Sequence, residues 1–127
     1  MFNSPITTNI ATTDLTKAKK FYTETLGLKV TQDWGQALRL DAGGAPLFIY
    51  QREKPPQADH TVASWDVPDV RQYVKSLSNK GIKFEMYEGM DQDAAGIASW
   101  GDDGPKTAWF KDPDGNILGL MQPAIGK

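Results

Sequence analysis

The chain has 127 residues and a formal net charge of −2, with 14 Lys and Arg against 16 Asp and Glu. That bounds it to about one small domain and supplies no basic footprint for nucleic acid. Zero cysteines exclude disulfides and thiolate chemistry, no apolar run approaches the ~20 residues of a membrane helix, and the first residues lack a signal-peptide layout. We expect a cytoplasmic protein with no nucleic-acid or membrane partner.

A first strand is expected over Pro5 to Ala11. Alternation turns Ile6 and Ile10 toward a helix and leaves Thr7 and Asn9 on the opposite face. Asp14 is an N-cap, since its carboxylate accepts an orphaned backbone N–H. Leu15, Ala18, Phe21, Tyr22 and Leu26 then recur at three and four, predicting a helix to about Leu26, closed by Gly27. Extended segments follow at about Leu28–Trp34, Gln36–Leu40 and Leu47–Gln51. The prolines of the 53–59 segment break strand pairing and make it a connector.

The same order then repeats. His60 to Val67 reads as a strand, with Ala63, Trp65 and Val67 under a helix and His60, Val62, Ser64 and Asp66 on the other face. Asp69, 55 positions after Asp14, caps a helix whose stripe is Val70, Tyr73, Val74 and Leu77, and Gly81 closes it. Segments at about Ile82–Glu88, Lys106–Lys111 and Ile117–Gln122 read as strands. The turns Asp41–Gly44 and Asp112–Gly115 correspond. An insertion at 89–105 reads either as a short extra hairpin or as a mobile loop. The result is an α+β fold: one domain over 1–127, built as βαβββ twice. Module 1 covers about 4–52 and module 2 about 60–123.

The stretches Asn9-Ile-Ala-Thr-Thr-Asp-Leu-Thr-Lys-Ala-Lys-Lys-Phe-Tyr-Thr-Glu-Thr-Leu-Gly27 and Ala108-Trp-Phe-Lys-Asp-Pro-Asp-Gly-Asn-Ile-Leu-Gly119 resemble those of the glyoxalase/bleomycin-resistance/extradiol-dioxygenase superfamily. The resemblance implies a curved mixed sheet enclosing a cavity, helices outside, and a homodimer. It also implies a divalent metal held by four side chains, seven residues before each cap Asp and four after each turn Gly. Those positions hold Thr7, Val62, Phe48 and Gly119, which supply no converging imidazole or carboxylate donors. No metal and no cofactor is therefore expected.

Aromatic residues carry the remaining signal. Phe48 and Tyr50 are candidate cavity floor, and Trp109 and Trp100 candidate wall and lid. Asn9, Ser64 and His60 are the candidate polar groups of a mostly apolar pocket, while Trp65 and Phe84 read as core. His60, the single histidine, reads either as a strand-entrance surface residue or as a ligand contact. The acidic run from Glu85 to Asp103 reads either as a wall for a cation or as ordinary solvated charge. The function expected is metal-independent binding of a small aromatic or apolar molecule. Two alternatives stand beside it: a lyase, isomerase or dioxygenase of the same superfamily, and a scaffold whose cavity is filled.

Overall fold

Asp14 and Asp69 begin the two helices by the same device, each accepting the N–H three residues on, from Lys17 at 3.1 Å and Gln72 at 3.3 Å. The computed structural model describes residues 3–124. The chain divides into two compact units, one ending at Gln57 and the other beginning at Ala58.

The first unit runs β1 (Thr8–Thr12), α1 (Leu15–Lys20), a π-helical turn (Phe21–Thr25), β2 (Lys29–Asp33), β3 (Ala37–Ala42) and β4 (Ala45–Gln51). Its sheet order is β1-β4-β3-β2, with β1 parallel to β4 and the other neighbours antiparallel. Ile10, Leu38, Leu40, Leu47 and Ile49 are buried together with Leu15, Ala18 and Tyr22 of the helical segment. Burying each large aliphatic side chain contributes about 1.5–3 kcal/mol, so this one face holds the unit together. Gly43 and Gly44 join β3 to β4 with φ of +62° and +92°, the conformation a two-residue hairpin turn demands and glycine meets without strain.

The second unit runs β5 (Thr61–Asp66), α2 (Val70–Asn79), β6 (Ala98–Ser99), β7 (Lys106–Lys111) and β8 (Ile117–Gln122). The order β5-β8-β7-β6 repeats the first sheet, again with one parallel pair, β5 with β8. Val70, Val74 and Leu77 of α2 are buried, as are Ala108, Phe110, Leu118 and Leu120 of the strands that α2 packs on. Asp112 organises the β7–β8 turn: its carboxylate accepts the N–H groups of Asp114 and Asn116, each at 2.9 Å.

An α+β fold of two four-stranded mixed sheets and two helical segments is therefore what the chain adopts. Several boundaries differ from the expectation. The first strand begins at Thr8, leaving Ile6 outside it and 89% exposed. Helix α1 gives way after Lys20 to the π turn, in which Leu26 N–H donates to Phe21 C=O at 3.1 Å. Tyr73 stands 41% exposed, beside the stripe rather than in it. Ile82–Glu88 forms no regular strand; only Glu85 N–H bonds the β7 backbone, at Trp109 C=O. The fourth place in that sheet goes to β6, from within the insertion. Gln92 explains why: its side chain accepts from Tyr87 N–H at 2.7 Å and donates to Glu85 and Gly96 carbonyls at 2.9 and 2.8 Å. One amide thus satisfies the backbone that a paired strand otherwise satisfies.

A second shared device ties each helix to its sheet. The last residue of the last strand, Gln51 or Gln122, accepts the first helical N–H, from Leu15 at 2.9 Å or Val70 at 3.0 Å. Gln122→Leu leaves the Val70 N–H without its partner at a partly buried helix start. Chemical denaturation should register a loss of about 1–2 kcal/mol, with an unchanged slope.

Candidate functional site

In each sheet the helix occupies one face, and the candidate residues lie on the other. In the first unit, Asn9 pairs across to Phe48 and Ala11 to Tyr50, while Arg39 and Ala37 pair with the same two aromatics from β3. Paired residues share a face, so Asn9, Phe48 and Tyr50 lie together on the side away from Ile10 and Ile49. Phe48 stacks on Tyr50 with centroids 6.2 Å apart and a 24° interplanar angle, and Trp34 leans on Phe48 at 6.1 Å. Phe48 and Tyr50 are half-buried and Trp34 is 55% exposed. Asn9 is exposed and donates its side-chain amide to Thr7 C=O at 3.2 Å. Trp34 was not among the expected site residues; it ends the segment expected as a strand over Leu28–Trp34, and the observed strand stops one residue before it.

In the second unit, Gly119 pairs with Ser64 on one side and Trp109 on the other. A Cβ at Gly119 would meet Ser64 Cβ at 3.3 Å, Thr61 Cγ2 at 3.5 Å and Trp109 Cδ1 at 3.6 Å. The tight contact is with Ser64, which would have to give by a few tenths of an ångström; Thr61 and the indole would be in ordinary contact. A bulge between Thr61 and Ala63 shifts the register, so Thr61 takes the place beside Ser64 that strict alternation assigns to Val62. Trp65 and Phe84 are half-buried rather than fully buried; Phe84 sits edge-on to the buried Phe110 at 5.5 Å.

Two recesses open on this unit. One, of about 260 Å³, brings Asp59, His60 and Trp109 together with Thr61, Ile117, Tyr87 and Met90. The other, of about 420 Å³, places Trp100 and Ser99 against Tyr87, Met90, Glu88 and Asp91. Tyr87 and Met90 border both. Tyr87 meets Trp109 edge-on at 5.6 Å. Ser64 stays exposed beside Gly119. Trp100 is 51% exposed. Tyr87 and Met90 escaped the sequence reading because Ile82–Glu88 scanned as a regular strand, and Met90 lay in an insertion with no periodicity.

The loop that carries these residues is anchored at Gln92 and at Asp93. The Asp93 carboxylate accepts Ala95 and Ile97 N–H groups at 2.9 and 3.0 Å and pairs with the Arg71 guanidinium of α2 at 2.7 Å. Burial alone would raise this carboxyl; the Arg71 hydrogen bond and the two backbone donors outweigh it and hold it below the ordinary carboxylate range. Part of the acidic run is thus structural: Asp93 is paired, and Glu85 lies 3.7 Å from Lys111.

The family model for the Glyoxalase/Bleomycin resistance protein/Dioxygenase superfamily matches residues 5–120. The chain belongs to this superfamily. Solved structures agree in fold. The fosfomycin resistance protein FosX of Listeria monocytogenes superposes with a TM-score of 0.78 at 11% identity, covering 98% of this chain and 97% of its own. Lactoylglutathione lyase from Agrobacterium tumefaciens gives 0.72 at 18%, covering 94% and 93%. TnmS3, an antibiotic binding protein from Streptomyces sp. CB03234, gives 0.71 at 25%, covering 98% and 99%. No curated protein sequence matches the chain.

As a glyoxalase-superfamily member, this chain lacks the usual metal ligands. Phe48 fills its position with a ring stacked on Tyr50, and Gly119 is crowded by Ser64. Val62 sits at the bulge, and Thr7 offers only a hydroxyl and a backbone oxygen that already accepts from Asn9. Among the described residues no group of three or more His, Cys, Asp or Glu side chains is placed to hold a metal ion. The residues present do not fit a divalent metal.

Two outcomes follow from this geometry. Because Phe48 is half-buried, Phe48→Ala should cost about 1–2 kcal/mol in urea unfolding, well under the about 3–5 kcal/mol of a fully buried ring. The second concerns acid. A carboxyl lowered in the folded state stabilises fully above its unfolded value of about 3.9 and loses that contribution as pH falls through the lower folded value. The Asp93 anchor, with its side chains 40% and 63% exposed, should contribute under ~1 kcal/mol. Protection of the Ala95 and Ile97 amides should drop as pH is taken from 5 to about 2, and Asp93→Asn should abolish that step.

Proposed function

We propose that this superfamily member binds a small, partly aromatic or apolar molecule without a metal, in a sheet-lined cavity on the helix-free face of the second unit. The observation that carries the reading is the recess where Trp109, Tyr87, Met90 and Ile117 present apolar surface beside Asp59, His60 and Thr61. That mixture, mostly apolar with a few polar groups, is the composition of small-molecule sites. The adjoining recess of about 420 Å³ falls within the ~300–1,000 Å³ such sites occupy. TnmS3, at 25% identity over nearly the whole chain, is an antibiotic binding protein, which favours binding over turnover here. A lyase, isomerase or dioxygenase of the superfamily's metal-dependent kind would need a Lewis acid on its substrate oxygens, and this donor set does not fit one. Asn9, Phe48 and Tyr50 form the corresponding face of the first unit, which we propose as a ligand-contacting face in its own right. A homodimer in the cytoplasm is the setting we assign.

Titration with naphthalene and with coumarin tests the reading, followed by quenching of the tryptophan fluorescence. Saturable binding is expected, unchanged by EDTA. Trp109→Ala should weaken it about tenfold, since loss of aromatic stacking and its buried area is worth roughly 1–1.5 kcal/mol. Elemental analysis should find no stoichiometric divalent metal. Absence of saturable binding to the wild type, or dependence on one bound metal per chain, would sink the proposal.

A further inference from the structure

Two buried side-chain oxygens among the described residues have no hydrogen-bond partner: Tyr87 Oη and Thr107 Oγ1. Both belong to the second unit, and each is tied to Trp109, Tyr87 by a ring contact and Thr107 by its place on β7. Thr107 lies two residues before Trp109 on β7 and so shares its face. It also pairs across to Ala98, which lines the larger recess. Tyr87 borders both recesses. Thr107 is only 4% exposed. A buried hydroxyl without a partner costs free energy in the ligand-free protein, and such groups call for an explanation.

We propose that Tyr87 is the specificity-determining residue of this site, its hydroxyl donating to a neutral acceptor oxygen of the carbonyl class on the edge of the bound aromatic molecule. This deepens the binding reading above and rests on it. Three observations fix the chemistry. The Tyr87 ring is held edge-on to Trp109, so its hydroxyl is fixed relative to a ligand lying against the indole. Burial, with the Glu85 charge second, pushes the phenol ionisation up, so the group stays protonated and donates. Glu88 and Asp91 line the larger recess, and their charges oppose an anionic ligand. A carboxylate or phosphate is therefore disfavoured, and among neutral acceptors the carbonyl oxygen is the one we assign.

Coumarin, which carries a carbonyl, and naphthalene, which does not, are the probes, and Tyr87→Phe removes the hydroxyl while keeping the ring. Coumarin should bind the variant about tenfold more weakly than the wild type, the effect of one good hydrogen bond. Naphthalene should change less than twofold. The carbonyl stretch of coumarin bound to the wild type should move to lower frequency, a readout that needs no variant to fold. An unshifted carbonyl, or equal changes for both probes in Tyr87→Phe, would overturn the assignment and leave the binding proposal standing. If neither probe binds the wild type, the binding proposal falls first and this inference with it.

Discussion

Each unit depends on one junction, where a helix leaves a strand and must return to the same sheet. A parallel pair, β1 with β4 or β5 with β8, requires a crossover, and the helix is that crossover. Its first turn has N–H groups that no helical carbonyl can satisfy. The cap Asp takes one from within the loop, and the glutamine closing the last strand takes another, Leu15 N–H at Gln51 or Val70 N–H at Gln122. The glutamine bond spans 36 residues in the first unit and 52 in the second, so it closes the motif end to end. Where the helix sits decides which sheet face is apolar core, and which face is left over.

The left-over face then sets what chemistry the protein has. On the helix side Ile10, Leu38, Ile49, Phe110 and Leu118 are buried almost completely. On the other face stand Trp34, Phe48 and Tyr50 in the first unit and Trp109, with Tyr87 against it, in the second, large rings that remain partly exposed. Exposing rings of this size forgoes burial energy, and a cluster of them is more informative than a single exposed aromatic. In the second unit the cluster is bordered by a loop held through two side chains, Gln92 and Asp93. Those two fix Tyr87 and Met90 where a regular strand would have placed different residues.

How much of this was legible follows from the range of the interaction involved. Helix caps are local: Asp14 and Asp69 announce themselves within four residues. Both β7 and β8 run over the residues their apolar pattern marks, and the turn between them is written in Asp112-Pro-Asp-Gly115. Gln51 and Gln122 carried no signal, because a glutamine at a strand end looks like any solvated polar residue until its distant partner is known. The bulge after Thr61 was equally silent, and it moves Thr61 to the face that alternation gives to Val62. Ile82–Glu88 misled for a definite reason. Its alternation is strand-like, and its backbone is satisfied by the Gln92 amide instead of a neighbouring strand. The candidate aromatic positions Phe48, Tyr50 and Trp109 were legible because their strands are regular.

The missing ligand set also has a packing consequence. At Gly119 a side chain would press on Ser64. At Phe48 the ring is part of a stack that runs from Trp34 to Tyr50. Restoring a donor at either position would have to move Ser64 or break that stack, and the bulge has already displaced the third position from strict alternation. These three positions are therefore integrated with their neighbours. Where the superfamily's usual ligands would supply imidazole or carboxylate, this chain presents a ring at Phe48, bare backbone at Gly119 and a hydroxyl at Thr7.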